Sequence, residues 1–153
     1  MKIAKRDLDQ RMARFEKTCR ESGAKLTHQR MEIFREVAQT GDHPDVERVF
    51  QGVRKRMPTM SLDTVYRTLW LLKDLGLITT IGSPRERTRF DANLSHHHHF
   101  VCVQCGLTQD FYSDEFDELK LPESVKAFGY VETTQVKVKG VCRKCIAKGK
   151  KQI

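Results

Sequence analysis

Two Cys-x2-Cys pairs, Cys102/Cys105 and Cys142/Cys145, hold four of the five cysteines. Two intervening residues let the backbone turn so that both sulfurs of a pair reach one ion, and Gly106 eases that turn after Cys105. Together the pairs can close a tetrahedral site of four thiolates around zinc, whose binding free energy then becomes folding free energy. A closed sulfur site leaves no open coordination position, so it points to a structural ion rather than to catalysis. Buried reduced cysteines or redox thiols are the alternative use of the same residues. Cys19 stands alone on an apolar helical face and reads as core.

Directly before Cys102 come four consecutive histidines, His96 to His99. In an extended segment successive side chains alternate between faces. His97 and His99 would then share one side, and His96 and His98 the other. An H-x-H pair on one face chelates a first-row divalent ion, whereas a solvated polar loop is the bland reading. Asp91 lies upstream, Asp110 lies on the next expected strand, and His43 sits at a helix break. Three histidines and two aspartates from both halves of the chain would tie those halves together, and losing the ion would loosen them. By spacing alone, however, a histidine before Pro44 reads as a loop residue.

The elements that must place these side chains are legible from periodicity. Leu8, Met12, Phe15 and Cys19 recur at helical spacing over Asp7 to Ser22, which Gly23 ends. Thr27 is a good N-cap for a helix carrying Ile33, Phe34 and Val37. Asp45 to Met57 predicts a third helix stopped by Pro58, and Ser61 caps a fourth over Leu62 to Leu75. On the fourth, Leu62, Val65, Leu69 and Leu72 should face a core, leaving Thr64, Tyr66, Arg67 and Thr68 largely off that stripe. Strands are expected over Leu77 to Ile81 and Thr88 to Phe90, with a turn between them. Helices followed by a hairpin form the pattern of a winged helix-turn-helix.

The second part should be a small sheet with strands at Phe100 to Val103, Gln109 to Tyr112 and Tyr130 to Lys139. A helix over Asp117 to Phe128, interrupted at Pro122, would lie between them. The fold class is therefore α+β. A winged helix-turn-helix domain (residues 1–90) and a hinge (91–95) precede a small α/β domain (96–153) with the four-cysteine site.

The chain has 153 residues and a net charge of +8. Through Ala92 it carries 19 basic and 13 acidic residues, a net of +6; the remainder carries 9 and 7, a net of +2, with Lys148, Lys150 and Lys151 in the tail. An excess of positive charge in the first part suits an anionic partner such as DNA, or simply a solvated surface. No run of about 18 apolar residues exists, which argues against a membrane span, and the first ten residues lack the apolar stretch of a signal peptide. A cytoplasmic protein is expected.

Several stretches jointly resemble the ferric uptake regulator family. They are Leu26-Thr27-His28-Gln29-Arg30, His43-Pro44, Met60 through Leu69, Arg89-Phe90-Asp91, His96 through Gly106, and Gly140 through Cys145. The resemblance covers nearly the whole chain in order. It implies a winged-helix DNA-binding domain, an α/β dimerisation domain and metal-dependent transcriptional repression. Cys102, Cys105, Cys142 and Cys145 match the family's structural zinc ligands. His43, Asp91, His97, His99 and Asp110 match its regulatory Fe(II) or Mn(II) site. The position of Asp110 is commonly Glu in iron-uptake members and Asp in the peroxide-stress repressor branch, so this chain looks like that branch. There, peroxide reacts at bound Fe(II) and a ligand histidine is oxidised; His43 and His97 are the candidates here. A further site found in some members matches His96, His98 and Asp117, but its last histidine is missing, since Thr134 or Gln135 falls there.

For DNA, Tyr66 and Arg67 with Thr64 beside them suit a recognition helix: Arg bonds guanine edges and Tyr packs on a thymine methyl. The resemblance adds Lys25 as a minor-groove contact and a homodimer reading an inverted repeat in double-stranded DNA. Arg85 and Arg87 would set the wing against phosphate. No membrane and no small organic substrate are expected as partners, and no enzymatic activity. The rivals are an iron- or zinc-uptake repressor of the same family, or a zinc-dependent hydrolase using the histidines around an open coordination site.

Overall fold

The computed structural model describes residues 1–82 and 87–149. Arg85 of the expected wing and the tail residues Lys150 and Lys151 lie outside them. The chain divides into two units, Met1–Leu94 and Ser95–Ile153.

In the first unit, helix α1 (Lys5–Ser22) buries Met12, Phe15 and Cys19 on one stripe and ends where Gly23 turns left-handed at φ 71°. Helix α2 (His28–Ala38) starts at Thr27, whose side chain accepts the Arg30 N–H; α3 (Val46–Arg54) starts at Asp45, which accepts the Arg48 N–H. Helix α4 (Leu62–Asp74) is capped by Ser61, which accepts the Thr64 N–H at 3.1 Å. Each cap satisfies an amide that the first helical turn leaves without a partner. At the other end of α4 the Leu77 amide reaches back to the Leu72 carbonyl at 3.0 Å, a closure that Gly76 permits at φ 72°. Strands β1 (Thr79–Ile81) and β2 (Arg89–Asp91) pair antiparallel, Thr80 opposite Phe90. Phe15, Ile33, Phe34, Val37, Val49, Val53, Val65, Leu69, Leu72 and Phe90 build the core, with the Phe15 and Phe34 rings stacked at 4.9 Å.

The α4 stripe departs from expectation at two positions. Leu62 is exposed because it lies in the first turn. Thr68 is buried, sitting about 60° around the helix from Val65 and so within the width of a core-facing stripe. Helix α3 stops at Arg54, and the Arg56 and Met57 amides both close onto the Val53 carbonyl in a final turn.

In the second unit, β3 (His98–Cys102) is the centre of a three-stranded sheet ordered β4-β3-β5. Strand β4 (Thr108–Phe111) runs antiparallel to it with His99 opposite Asp110; β5 (Lys137–Gly140) runs parallel with Cys102 opposite Gly140. The expected helix over Asp117 to Phe128 is two single turns, α5 (Asp114–Asp117), capped by Ser113, and α6 (Glu123–Lys126), begun at Pro122. The expected strand from Tyr130 is also shorter. Just before β5 the Val136 amide donates to His98 Nδ1 and the Gln135 amide side chain to the His97 carbonyl, both at 3.1 Å, while the Val136 carbonyl accepts the His99 amide. Phe128 and Tyr130 are left almost fully exposed. Helix α7 (Arg143–Ala147) follows, with Cys142 at its N-cap.

Candidate metal centres and nucleic-acid interface

The register of β3 against β5 carries Cys102 to the level of Gly140, two residues before Cys142. The Gly106 amide closes a turn onto the Cys102 carbonyl at 2.9 Å, and the Cys145 amide closes another onto the Cys142 carbonyl at 3.0 Å. These turns fold each pair back on itself. The four sulfurs lie within 4.8 Å of one another, Cys105 exposed and the other three buried. Spacing of this kind suits tetrahedral thiolate ligation and fits zinc. The electrostatics are uneven. The Cys142 amide donates to Cys102 Sγ at 3.3 Å, and with the Cys105 amide it draws that thiol down to about 6. Burial, and then hydrogen bonds that the Cys145 thiol donates to the neighbouring sulfurs, push Cys145 up to about 12. One sulfur is thus ready to bind a cation, while another holds its proton until a cation displaces it.

The histidine run alternates. On one side, the His97 Nδ1–H donates to the Ser95 carbonyl at 2.6 Å, which turns the Nε2 lone pair toward His99 Nε2, 3.0 Å away. Asp110 Oδ1 stands 3.4 Å from His97 Nε2 and 3.3 Å from His99 Nε2. Three donors suited to a first-row divalent ion therefore meet within the second unit. On the other side, His98 is fully buried between Phe111 and Phe116. Its Nδ1 accepts the Val136 amide and its Nε2–H donates to Asp117 Oδ1 at 2.9 Å, so the neutral imidazole has both nitrogens satisfied. His96 Nε2 lies 3.0 Å from the same carboxylate oxygen. His96, His98 and Asp117 form a compact set of three donors, and His98 in it is also a satisfied core histidine.

In the first unit His43 and Asp91 come together, Nε2 to Oδ2 at 3.4 Å, both buried. The backbone explains the pairing. The Phe90 amide donates to the Pro44 carbonyl at 2.9 Å and Arg89 Nη1 to the His43 carbonyl at 3.2 Å, so β2 anchors the His43 loop. His43 sits at φ 51°, a left-handed conformation uncommon for residues other than glycine, and this aims its ring inward.

The candidate DNA face lies on α4. Tyr66 and Arg67 are exposed. The Tyr66 ring meets Trp70 edge-on at 6.1 Å, and Trp70 meets core Phe90 at 6.0 Å. Thr64 is partly buried in the cap, its hydroxyl accepting from Ser61 Oγ at 2.8 Å. Lys25 is exposed, and Arg30 Nη1 holds its carbonyl at 2.6 Å. Arg87, expected to meet phosphate, is exposed and pairs with Asp45 at 2.8 Å and Glu47 at 3.7 Å. Sequence reading missed the Ser95 carbonyl that orients His97 and the Phe111/Phe116 walls of His98. It also missed Asp63, whose ion pair with Arg67 is announced by its i, i+4 spacing.

Comparison with known proteins adds the following. The profile of the Ferric uptake regulator family matches residues 21–139. The peroxide-responsive repressor PerR of Staphylococcus epidermidis is 30% identical over 131 residues, covering 85% of this chain and 87% of the relative. The Helicobacter pylori ferric uptake regulator Fur superposes with a TM-score of 0.74 at 23% identity, covering 95% of this chain and 97% of that one. The ferric uptake regulator of Francisella tularensis with iron gives 0.67 at 26% identity, covering 80% and 94%.

Proposed function

The chain belongs to the ferric uptake regulator family, and from that premise we propose a zinc-stabilised, Fe(II)- or Mn(II)-dependent repressor that senses peroxide. The hydrolase reading falls with family membership, since the family's members are DNA-binding transcriptional regulators. No helix among the described residues is long and apolar enough to cross a membrane.

One observation carries the proposal. Donors are preassembled as two incomplete sets, His43 with Asp91 and His97, His99 with Asp110. Two or three ligands are too few for a first-row ion that favours five or six. An ion that recruits both sets holds the two units in one arrangement, and it acts only through its higher affinity for that arrangement. A coupling of about 1–3 kcal/mol changes DNA affinity roughly 5- to 150-fold. Lys25, Tyr66, Arg67 and Thr64 then contact an inverted-repeat duplex from each protomer of a homodimer. The exposed Phe128, Tyr130 and Tyr112 of the second unit support the dimer.

An Fe(II) ion held by these ligands would activate hydrogen peroxide: a ligand imidazole would take one oxygen atom from it and be oxidised, and the other oxygen would leave as water. His97 and His43 are the imidazoles exposed to that chemistry. Asp110 and the likeness to the Staphylococcus epidermidis repressor support this branch.

The test loads the zinc-containing chain with Fe(II) or Mn(II) and doses it with hydrogen peroxide. Mass spectrometry should find one added oxygen on the His43 or His97 peptide in the Fe(II) form alone, with release of DNA. Unmodified histidines and persistent DNA binding would overturn peroxide sensing. A metal-sufficiency sensor, favoured by the likeness to the iron-containing Francisella tularensis regulator, gives that second result while still requiring metal for DNA binding.

A further inference from the structure

Each exposed reader on α4 has a brace. Tyr66 leans on Trp70, and Arg67 leans on Asp63: Nε to Oδ2 at 3.0 Å, with the two side chains 79% and 68% exposed. Asp63 is the second residue of α4, one turn before Arg67 on the same face. Three things follow from that placement. A recognition helix meets base edges with its N-terminal residues, so Asp63 lies in the zone of contact. A carboxylate there opposes phosphate, so it costs non-specific affinity. And because Asp63 engages the guanidinium through Nε, the terminal pair of Nη groups points on along the side chain, as the fork that bonds guanine O6 and N7 requires.

We propose that Asp63 is a positioning and specificity-determining residue: its carboxylate presets the Arg67 guanidinium for guanine and raises discrimination while lowering indiscriminate binding. The proposal rests on α4 being the DNA-reading helix. An unbraced arginine samples many rotamers and can swing to any nearby phosphate. Held by Asp63, it enters the groove with its plane set. The bland role of an acidic residue in a first helical turn, complementing the helix dipole, would affect stability but not base preference.

The experiment uses the full chain with zinc and MnCl2 and a random-sequence duplex pool as the probe. Wild type, Asp63→Ala, Asp63→Glu and Arg67→Ala are each taken through selection and sequencing. Affinity is then measured for the wild-type consensus and for an unrelated duplex across salt concentrations. Asp63→Ala should lose about 3- to 10-fold in the ratio of consensus to unrelated affinity, flatten the motif at guanine positions, and bind unrelated duplex more tightly with a salt slope steeper by about one. Asp63→Glu, which still reaches Arg67 at i, i+4, should restore the ratio. Circular dichroism should be unchanged, as expected for a mostly exposed site. An Asp63→Ala motif as sharp as wild type, or a ratio preserved because both affinities rise together, overturns the brace. If Arg67→Ala also keeps the motif, the assignment of α4 as reader fails and the brace with it, which separates the two failures.

Discussion

Removing zinc should unfold the second unit and spare the first. In the second, one apolar cluster holds Cys102, Cys142 and Cys145 with partly buried Phe100, Leu107 and Val141 packed against them, and partly buried Phe111 and Phe116 pack around His98. Full burial of a large apolar side chain contributes about 1.5–3 kcal/mol, so these five partly buried ones contribute less than the ion does. Closing a four-thiolate zinc site contributes about 10–16 kcal/mol at neutral pH, and it is formed by the very residues that make the cluster. The first unit has its own core of seventeen buried residues among those described, and none of them is a cysteine of the two pairs. The assay is hydrogen exchange by mass spectrometry on the reduced full chain, before and after a strong chelator. The reporters are the Cys102 amide bonded to the Leu107 carbonyl, the Val103 amide bonded to Gly140 and the His99 amide bonded to Val136. These should lose protection by several orders of magnitude, while amides in α2 and α4 keep theirs. Protection of all three in the stripped, reduced protein would refute the reasoning, because the sheet would then be holding itself together.

Other outcomes follow from the same geometry. With Cys145 pushed up to about 12 and Cys102 down to about 6, zinc must displace at least one proton between pH 6 and 8. Zinc affinity should therefore fall at least about tenfold per pH unit as pH drops, read by competition with a chromogenic chelator; a flat profile contradicts it. A Cβ added at Gly52 would lie 2.1 Å from Glu36 Oε1, and Glu36 is held by Arg56 at 2.8 Å and Gln39 at 3.0 Å. Gly52→Ala should cost about 1–2 kcal/mol despite its better helix propensity, and adding Glu36→Ala should recover part of it in urea titrations. His98→Ala should destabilise the second unit by about 2–4 kcal/mol, since it leaves a cavity between two phenylalanines and the Val136 amide without its acceptor. His96→Ala, at a half-exposed position, should shift the melting temperature by a degree or two at most.

Where local chemistry decides structure, the sequence is readable. Thr27, Asp45 and Ser61 are helix caps both by residue type and by hydrogen bond, and Gly23 and Gly76 end helices where the backbone turns left-handed. The cysteine spacing announces a shared site, and alternation along an extended strand separates the histidines into two pairs. What stays hidden depends on partners distant in sequence. The residues before β5 alternate like a strand, yet the Val136 amide goes to His98 Nδ1 and the Gln135 side chain to the His97 carbonyl, and the strand itself is Lys137–Gly140. Glu32 is buried because Arg56, 24 residues on, reaches it at 2.6 Å, and no periodicity reports that. The left-handed turn at His43 is likewise set by β2, through the Pro44 and His43 carbonyls, and not by its own residue type.

Strand β3 is five residues long and ends in a cysteine. Because successive side chains point to opposite faces, sliding it by one position against its neighbours would exchange every histidine's side: His98 would leave its aromatic slot and His99 would enter it. The sulfur clamp at one end of the strand thus acts as a register pin for the imidazoles at the other. A metal usually credited with holding a small domain together also determines which histidines can answer a second metal at all.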